Sequence, residues 1–156
     1  MPDDLTHFDE EGRARMVDVG GKVETARVAV VEAFVEMTAE TRDLMFSGNL
    51  AKGDAVAVAR VAGLMAAKRT AGLIPLCHPL RISHATVEID PDPVGARIVA
   101  TVETVDRTGV EMEAMVAASV AALTVYDMVK GVERGAQVTA TRLLHKSGGK
   151  SGEWNR

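Results

Sequence analysis

The chain has 156 residues, 47% hydrophobic and 26% charged, enough to bury one full core, with disorder expected only at the ends. A net charge of -4 and an aromatic content of 3% exclude a general nucleic-acid binder, which needs excess cations and rings on which bases stack. A single cysteine excludes an intrachain disulfide and makes a structural zinc site unexpected, although one Cys with His and carboxylates can still hold a metal.

The chain opens acidic, with Asp3, Asp4, Asp9 and Glu10, and residues 1 to about 12 are expected to be flexible. This start lacks the basic character of a secretory signal, and charges interrupt every apolar stretch short of a bilayer span, so no membrane and a cytoplasmic location are expected. Two strands are predicted next, Met16-Val17-Asp18-Val19 and Ala26 to Val35, because β-branched residues dominate both and Gly20-Gly21 supplies turn chemistry between them. Thr38 marks a helix start, and that helix stops at Ser47-Gly48-Asn49 after Phe46. A second, more apolar helix is predicted from Asp54 to about Lys68.

From Ile82 to Asp90 the apolar residues Ala85, Val87 and Ile89 alternate with His84, Thr86 and Glu88. A second alternating run spans Ala96 to Val105 beyond the turn residues Pro91 to Gly95, which makes a hairpin. Val110 to Lys130 contains no proline or glycine and reads as the longest helix, followed by a strand from Gln137 to Leu144. The last residues, 145 to 156, are expected to be flexible and locally cationic through Lys146, Lys150 and Arg156. The order ββααββαβ predicts a single α+β domain over 1–156, a ferredoxin-like sandwich with a mostly antiparallel sheet and helices on one face.

Three segments carry chemistry. In Leu73-Ile74-Pro75-Leu76-Cys77-His78-Pro79-Leu80 the two prolines restrict the backbone, so Leu76-Cys77-His78 is expected to be held extended with defined side-chain directions. No basic neighbour in sequence activates Cys77, which makes His78 the better candidate for a ligand contact or acid/base role. On the helix from Val110 to Lys130, Glu113, Thr124 and Asp127 fall within about 60° of one another, with Lys130 one turn beyond Asp127. Charges on so apolar a helix need a reason. Glu113 and Asp127 are nevertheless about 21 Å apart along a continuous helix, too far for one small ligand, so a shared site requires two copies of the chain. The tail His145 to Gly152 combines exposed glycine backbone with lysines, as phosphate sites do, but lacks the spacing of a nucleoside-triphosphatase P-loop. Lys52 and Lys68 are further cations beside a glycine and at a helix end.

Over nearly its full length the chain resembles the MoaC family of molybdenum-cofactor biosynthesis. The resemblance rests on Leu5-Thr6-His7 with Met16 to Val19, Ala66-Ala67-Lys68 leading to Leu73 to Leu80, Thr108-Gly109-Val110-Glu111-Met112-Glu113-Ala114, Tyr126 to Lys130, and Lys146 to Trp154. Val129 and Gly131 stand where the family often has Cys and Ala, which leaves the ionisable positions untouched. The resemblance implies a lyase that converts (8S)-3',8-cyclo-7,8-dihydroguanosine 5'-triphosphate into cyclic pyranopterin monophosphate and pyrophosphate. It implies Asp127 and Lys130 as the acid/base pair, and Leu76, Cys77, His78, Met112 and Glu113 as substrate contacts. Lys52, Lys68 and Lys146 are implied for triphosphate or acid roles. It further implies a homohexamer, a trimer of dimers, with sites between subunits. No metal or other cofactor is required by the residues, although magnesium accompanying the triphosphate is compatible with them.

Two other functions compete. One is a hydrolase or transferase using Cys77 and His78, and the other a noncatalytic ferredoxin-like metabolite-binding protein, since fold alone does not fix function. Replacing Cys77 by Ser separates the first from the synthase, and turnover of the cyclic triphosphate separates the second.

Overall fold

The computed structural model describes residues 7–156. Part of the expected flexible start, and Leu5 and Thr6 of the resemblance, lie outside them. The element order is β1 (Thr25–Glu36), α1 (Ala39–Phe46), α2 (Ala55–Ala67), α3 (Thr70–Leu73), β2 (Ile82–Asp92), β3 (Gly95–Asp106), α4 (Glu111–Val129), β4 (Gln137–Ser147) and β5 (Trp154–Asn155). All five strands form one sheet in the order β2-β3-β1-β4-β5, and every neighbouring pair is antiparallel. The first four strands thus make the β2-β3-β1-β4 sheet of a ferredoxin-like α+β sandwich, with α2 and α4 against it.

Alternation along β1 explains its central place. Ala29, Val31, Ala33 and Val35 are fully buried, and they join Ala100 and Val102 of β3 and Ala118, Ala122 and Val125 of α4 in one core. The alanines of α4 let it lie close to its neighbours. At Gly63 of α2 the approach is closer still: a β-carbon there would stand 2.9 Å from the Ala117 carbonyl oxygen and 3.0 Å from Val87 Cγ2. Helix α4 is 19 residues long and apolar enough to cross a membrane, yet more than half of it is buried, packed on the sheet and on α2.

The predicted helices α1, α2 and α4 and the hairpin β2–β3 lie where expected. Thr38 caps α1 and Asp54 caps α2, each side chain accepting from a backbone N–H of the first turn. Met16–Val19, however, forms no strand. Asp18 Oδ1 accepts from Gly20 N at 2.8 Å, Lys22 N donates to Val19 O at 3.1 Å, and the segment loops outside the sheet with Met16 exposed. Both edges of β1 are already occupied by β3 and β4, so an adjacent hairpin partner has no place. The observed order is therefore βαααββαββ rather than ββααββαβ.

Two further differences touch the site. The segment after α3 is not wholly extended: Ile74 to Cys77 turns, closed by Cys77 N donating to Ile74 O at 3.2 Å, and only then runs out through His78. The C-terminal segment, expected to be flexible, contributes two short stretches to the sheet. Strand β4 continues to Ser147, and β5 returns to pair Trp154 with Lys146 and Asn155 with His145.

Candidate active site

At the C-terminal end of α4, Asp127 stands between two lysines. Lys130 Nζ lies 2.6 Å from Asp127 Oδ1, as expected for residues one helical turn apart. Lys52, from the turn between α1 and α2, places its Nζ 3.4 Å from Asp127 Oδ2 and 2.5 Å from the Asp127 backbone oxygen. The first contact is legible from spacing on a helix, whereas the second joins residues 75 apart in sequence. Hydrogen bonding from Lys130, then from Lys52, holds the Asp127 carboxyl below the usual carboxylate range, and Asp127 in turn raises Lys130. All three side chains are about half exposed, so in one chain this cluster is an open surface.

Opposite conditions hold at the N-terminal end of the same helix. Glu113 is 4% exposed, and burial, with Glu111 nearby, raises its pKa to about 7. Cys77 lies within electrostatic reach of it. Burial first and Glu113 second push the Cys77 thiol up, the reverse of what an attacking thiolate needs. Leu76, Cys77 and His78 are half-buried, while Met112 in the first turn of α4 is 37% exposed. The Pro75–Pro79 segment and the start of α4 therefore come together around the buried Glu113 carboxyl, with His78 and Glu111 as the other ionisable groups of these two segments.

Beside the start of α4 lies an open cavity of about 720 Å³ whose lining includes Lys22, Arg27, Arg107, Lys146 and Lys150 against the single carboxylate of Glu111. Three strands deliver it: Arg27 sits on β1, Arg107 follows β3, and Lys146 sits on β4. Register brings them together, since Thr25 faces Asp106 and Ala29 faces Lys146 across β1. Arg27 Nε donates to the Asp106 carbonyl at 3.1 Å, and Lys146 Nζ donates to Ser151 Oγ. Thr25, also in the lining, has a buried hydroxyl with no protein partner. A concave surface with this charge suits a polyanion.

Of the predicted residues, Asp127, Lys130 and Lys52 thus form one cluster, Cys77 approaches Glu113 at a second, and Lys146 lies in the cavity beside the second. Lys68 joins none of them, lining a separate cavity with Leu64, Leu80, Ser83 and His84. Arg27, Arg107 and Lys22 were not singled out by sequence reading. Each looks like an ordinary surface charge until sheet register gathers them, and only the cationic balance of the tail hinted at the cavity. Among the described residues, no group of three or more His, Cys, Asp or Glu side chains is arranged to hold a metal ion.

Residues 16–149 match the MoaC family. Among similar proteins, one from Chloroflexus aggregans is 56% identical over 156 residues, covering 99% of this chain and 94% of its own length. One from Cereibacter sphaeroides is 59% identical over 152 residues, with 96% of each chain covered, and one from Roseiflexus castenholzii is 58% identical over 152 residues with the same coverage. All three carry the name cyclic pyranopterin monophosphate synthase.

Proposed function

The chain belongs to the MoaC family, and from that premise we propose that it is a cyclic pyranopterin monophosphate synthase acting on the cyclised guanosine triphosphate derivative and releasing pyrophosphate. The observation that carries the reading is the Lys52, Asp127 and Lys130 cluster. Rearranging a purine-derived ring needs protons taken and given at neighbouring atoms, and a carboxylate between two ammonium groups can do both. In the free protein the lysines keep Asp127 ionised and weakly basic. Substrate oxygens that draw Lys52 and Lys130 away return basicity to Asp127 at the moment it must accept a proton.

The cavity of Arg27, Arg107 and Lys146 takes the triphosphate and stabilises the charge that develops as pyrophosphate leaves. Magnesium enters this reading only as a companion of the triphosphate. Glu113 accepts from the N–H donors of the guanine-type ring, with Leu76, Cys77, His78 and Met112 packing around it. Lys68, in its separate cavity, is left without a role in the same site. Fourteen residues of helix separate Glu113 from Asp127, about 21 Å, so a complete site takes the Glu113 end from one chain and the Asp127 end from another. A homohexamer built as a trimer of dimers satisfies this requirement, and a cytoplasmic location goes with a nucleotide triphosphate substrate.

Incubating the purified protein with the cyclic triphosphate and measuring pyrophosphate and cyclic pyranopterin monophosphate tests the proposal. Both products should appear together. Binding without turnover, under conditions in which an active synthase turns over, would make the protein a metabolite-binding module.

A further inference from the structure

The tail turn after β4 contains two consecutive glycines with left-handed backbone, Gly148 at φ +94° and Gly149 at φ +73°. They do different things. A β-carbon on Gly148 would run into the Ala26 carbonyl oxygen, so the turn at this point is pressed against the backbone of β1. A β-carbon on Gly149 would fall within the guanidinium of Arg27, 2.8 Å from Cζ and 3.0 Å from Nη2. The first obstacle is main chain and cannot yield, while the second is the far end of a flexible side chain and can. The Arg27 guanidinium is thus laid on the bare Cα of Gly149, and its Nε is tied from the other side to the Asp106 carbonyl at 3.1 Å. Both Arg27 and Gly149 line the cationic cavity.

We infer that Gly149 is a positioning residue for the polyphosphate end of the substrate, its missing side chain being the seat that aims Arg27 into the cavity. The inference rests on the reading of that cavity as the triphosphate site. Its logic is geometric: an arginine fork gains over a lysine only when its plane is fixed, because two parallel N–H donors must meet two oxygens together. Asp106 and Gly149 fix that plane between a carbonyl and a Cα. The same glycine couples the C-terminal hairpin to the site, since β5 and the turn hold Gly149 in place through the pairs Lys146 with Trp154 and His145 with Asn155. Gly152 provides the control. It too has a left-handed backbone, φ +67°, but a β-carbon there meets nothing within 4 Å.

The test measures inorganic pyrophosphate affinity calorimetrically on the intact protein, with Gly149→Ala, Gly152→Ala, Arg27→Ala and the double variant Arg27→Ala with Gly149→Ala. Gly149→Ala should weaken binding about tenfold, the effect of mis-aiming one charge-assisted pair, and Gly152→Ala less than about twofold. In the Arg27→Ala background the Gly149 substitution should change affinity by less than about twofold, because the group it displaces is gone. Turnover should follow, with KM for the triphosphate substrate rising in Gly149→Ala and kcat nearly unchanged. Equal effects of Gly149→Ala and Gly152→Ala, or additive effects in the double variant, would overturn the inference by showing backbone strain alone. Wild-type protein that fails to bind pyrophosphate would overturn the triphosphate reading and this inference with it. If Gly149→Ala does not fold, recovery of folding in the double variant supports the seat, and failure of both overturns it.

Discussion

Glu113 and Asp127 stand on one helix, yet the first is buried with its pKa raised to about 7, while the second is half exposed and held below the ordinary range by two lysines. The N-terminal end of α4 has a buried carboxyl beside a cavity with surplus cations, and the C-terminal end has paired charges on an open surface. Enclosure and paired charge thus lie at opposite ends of one helix. In the proposed reading a ligand held at one end meets its acid and base at the other end of a different copy, so that neither end is a complete site alone.

The largest effect expected from breaking this contrast is at Asp127. Asp127→Asn keeps the shape and hydrogen-bond reach but removes the charge, and kcat should fall by about a thousandfold or more while pyrophosphate affinity changes little. A drop of less than about tenfold would take proton transfer away from Asp127. Next comes complementation between the ends. Glu113→Ala and Asp127→Ala proteins, each inactive, should on subunit exchange recover about a quarter of the wild-type sites, since half of the chains carry each intact end. No recovery in verified mixed oligomers would return both ends to one chain.

Smaller effects sharpen the electrostatic half. If Glu113 accepts ring N–H groups, the substrate binds its ionised form. Below pH about 7 affinity should then fall by up to about tenfold per pH unit, and Glu113→Gln should bind more weakly but lose that dependence. Stability carries the opposite sign. The native pKa of Glu113 lies above the ordinary value of 4.5, so the folded state binds more protons and loses stability as pH rises from 4.5 to about 7. Thermal unfolding of Glu113→Gln should therefore gain on the wild type across that window and run parallel to it above. The smallest effect belongs to Cys77→Ser, within about threefold of the wild-type rate, because the thiol is pushed away from its reactive form. A collapse in rate there would revive the nucleophilic alternative.

Much of the fold was legible because period and punctuation agreed. The two alternating runs, Ile82 to Asp90 and Ala96 to Val105, and unbroken helical character from Val110 to Lys130 each produced the expected element. Met16–Val19 misled because β-branched composition states a preference, while a strand also needs a free edge, and β1 has none. The one-turn helix α3 and the two-residue β5 are too short to show a period at all. Within the site, Asp127 with Lys130 could be read from helical spacing and Glu113 from its isolation among apolar residues. Lys52 stood out only as a cation beside Gly53 and through the family resemblance, and its pairing with Asp127, like the gathering of Arg27 and Arg107, comes from tertiary structure alone.

Strand β1 lies in the middle of the sheet but near the start of the chain, flanked by β3 and by the much later β4. During synthesis it emerges with both edges bare and waits for nearly the whole polypeptide before its second partner exists. Val28 pairs with Ser147, and Ala29 with Lys146, so the cation cavity cannot assemble until residues 146 and 147 are available to pair. Closing of this cavity is thus tied to the docking of β4 on β1, a contact between segments far apart in sequence.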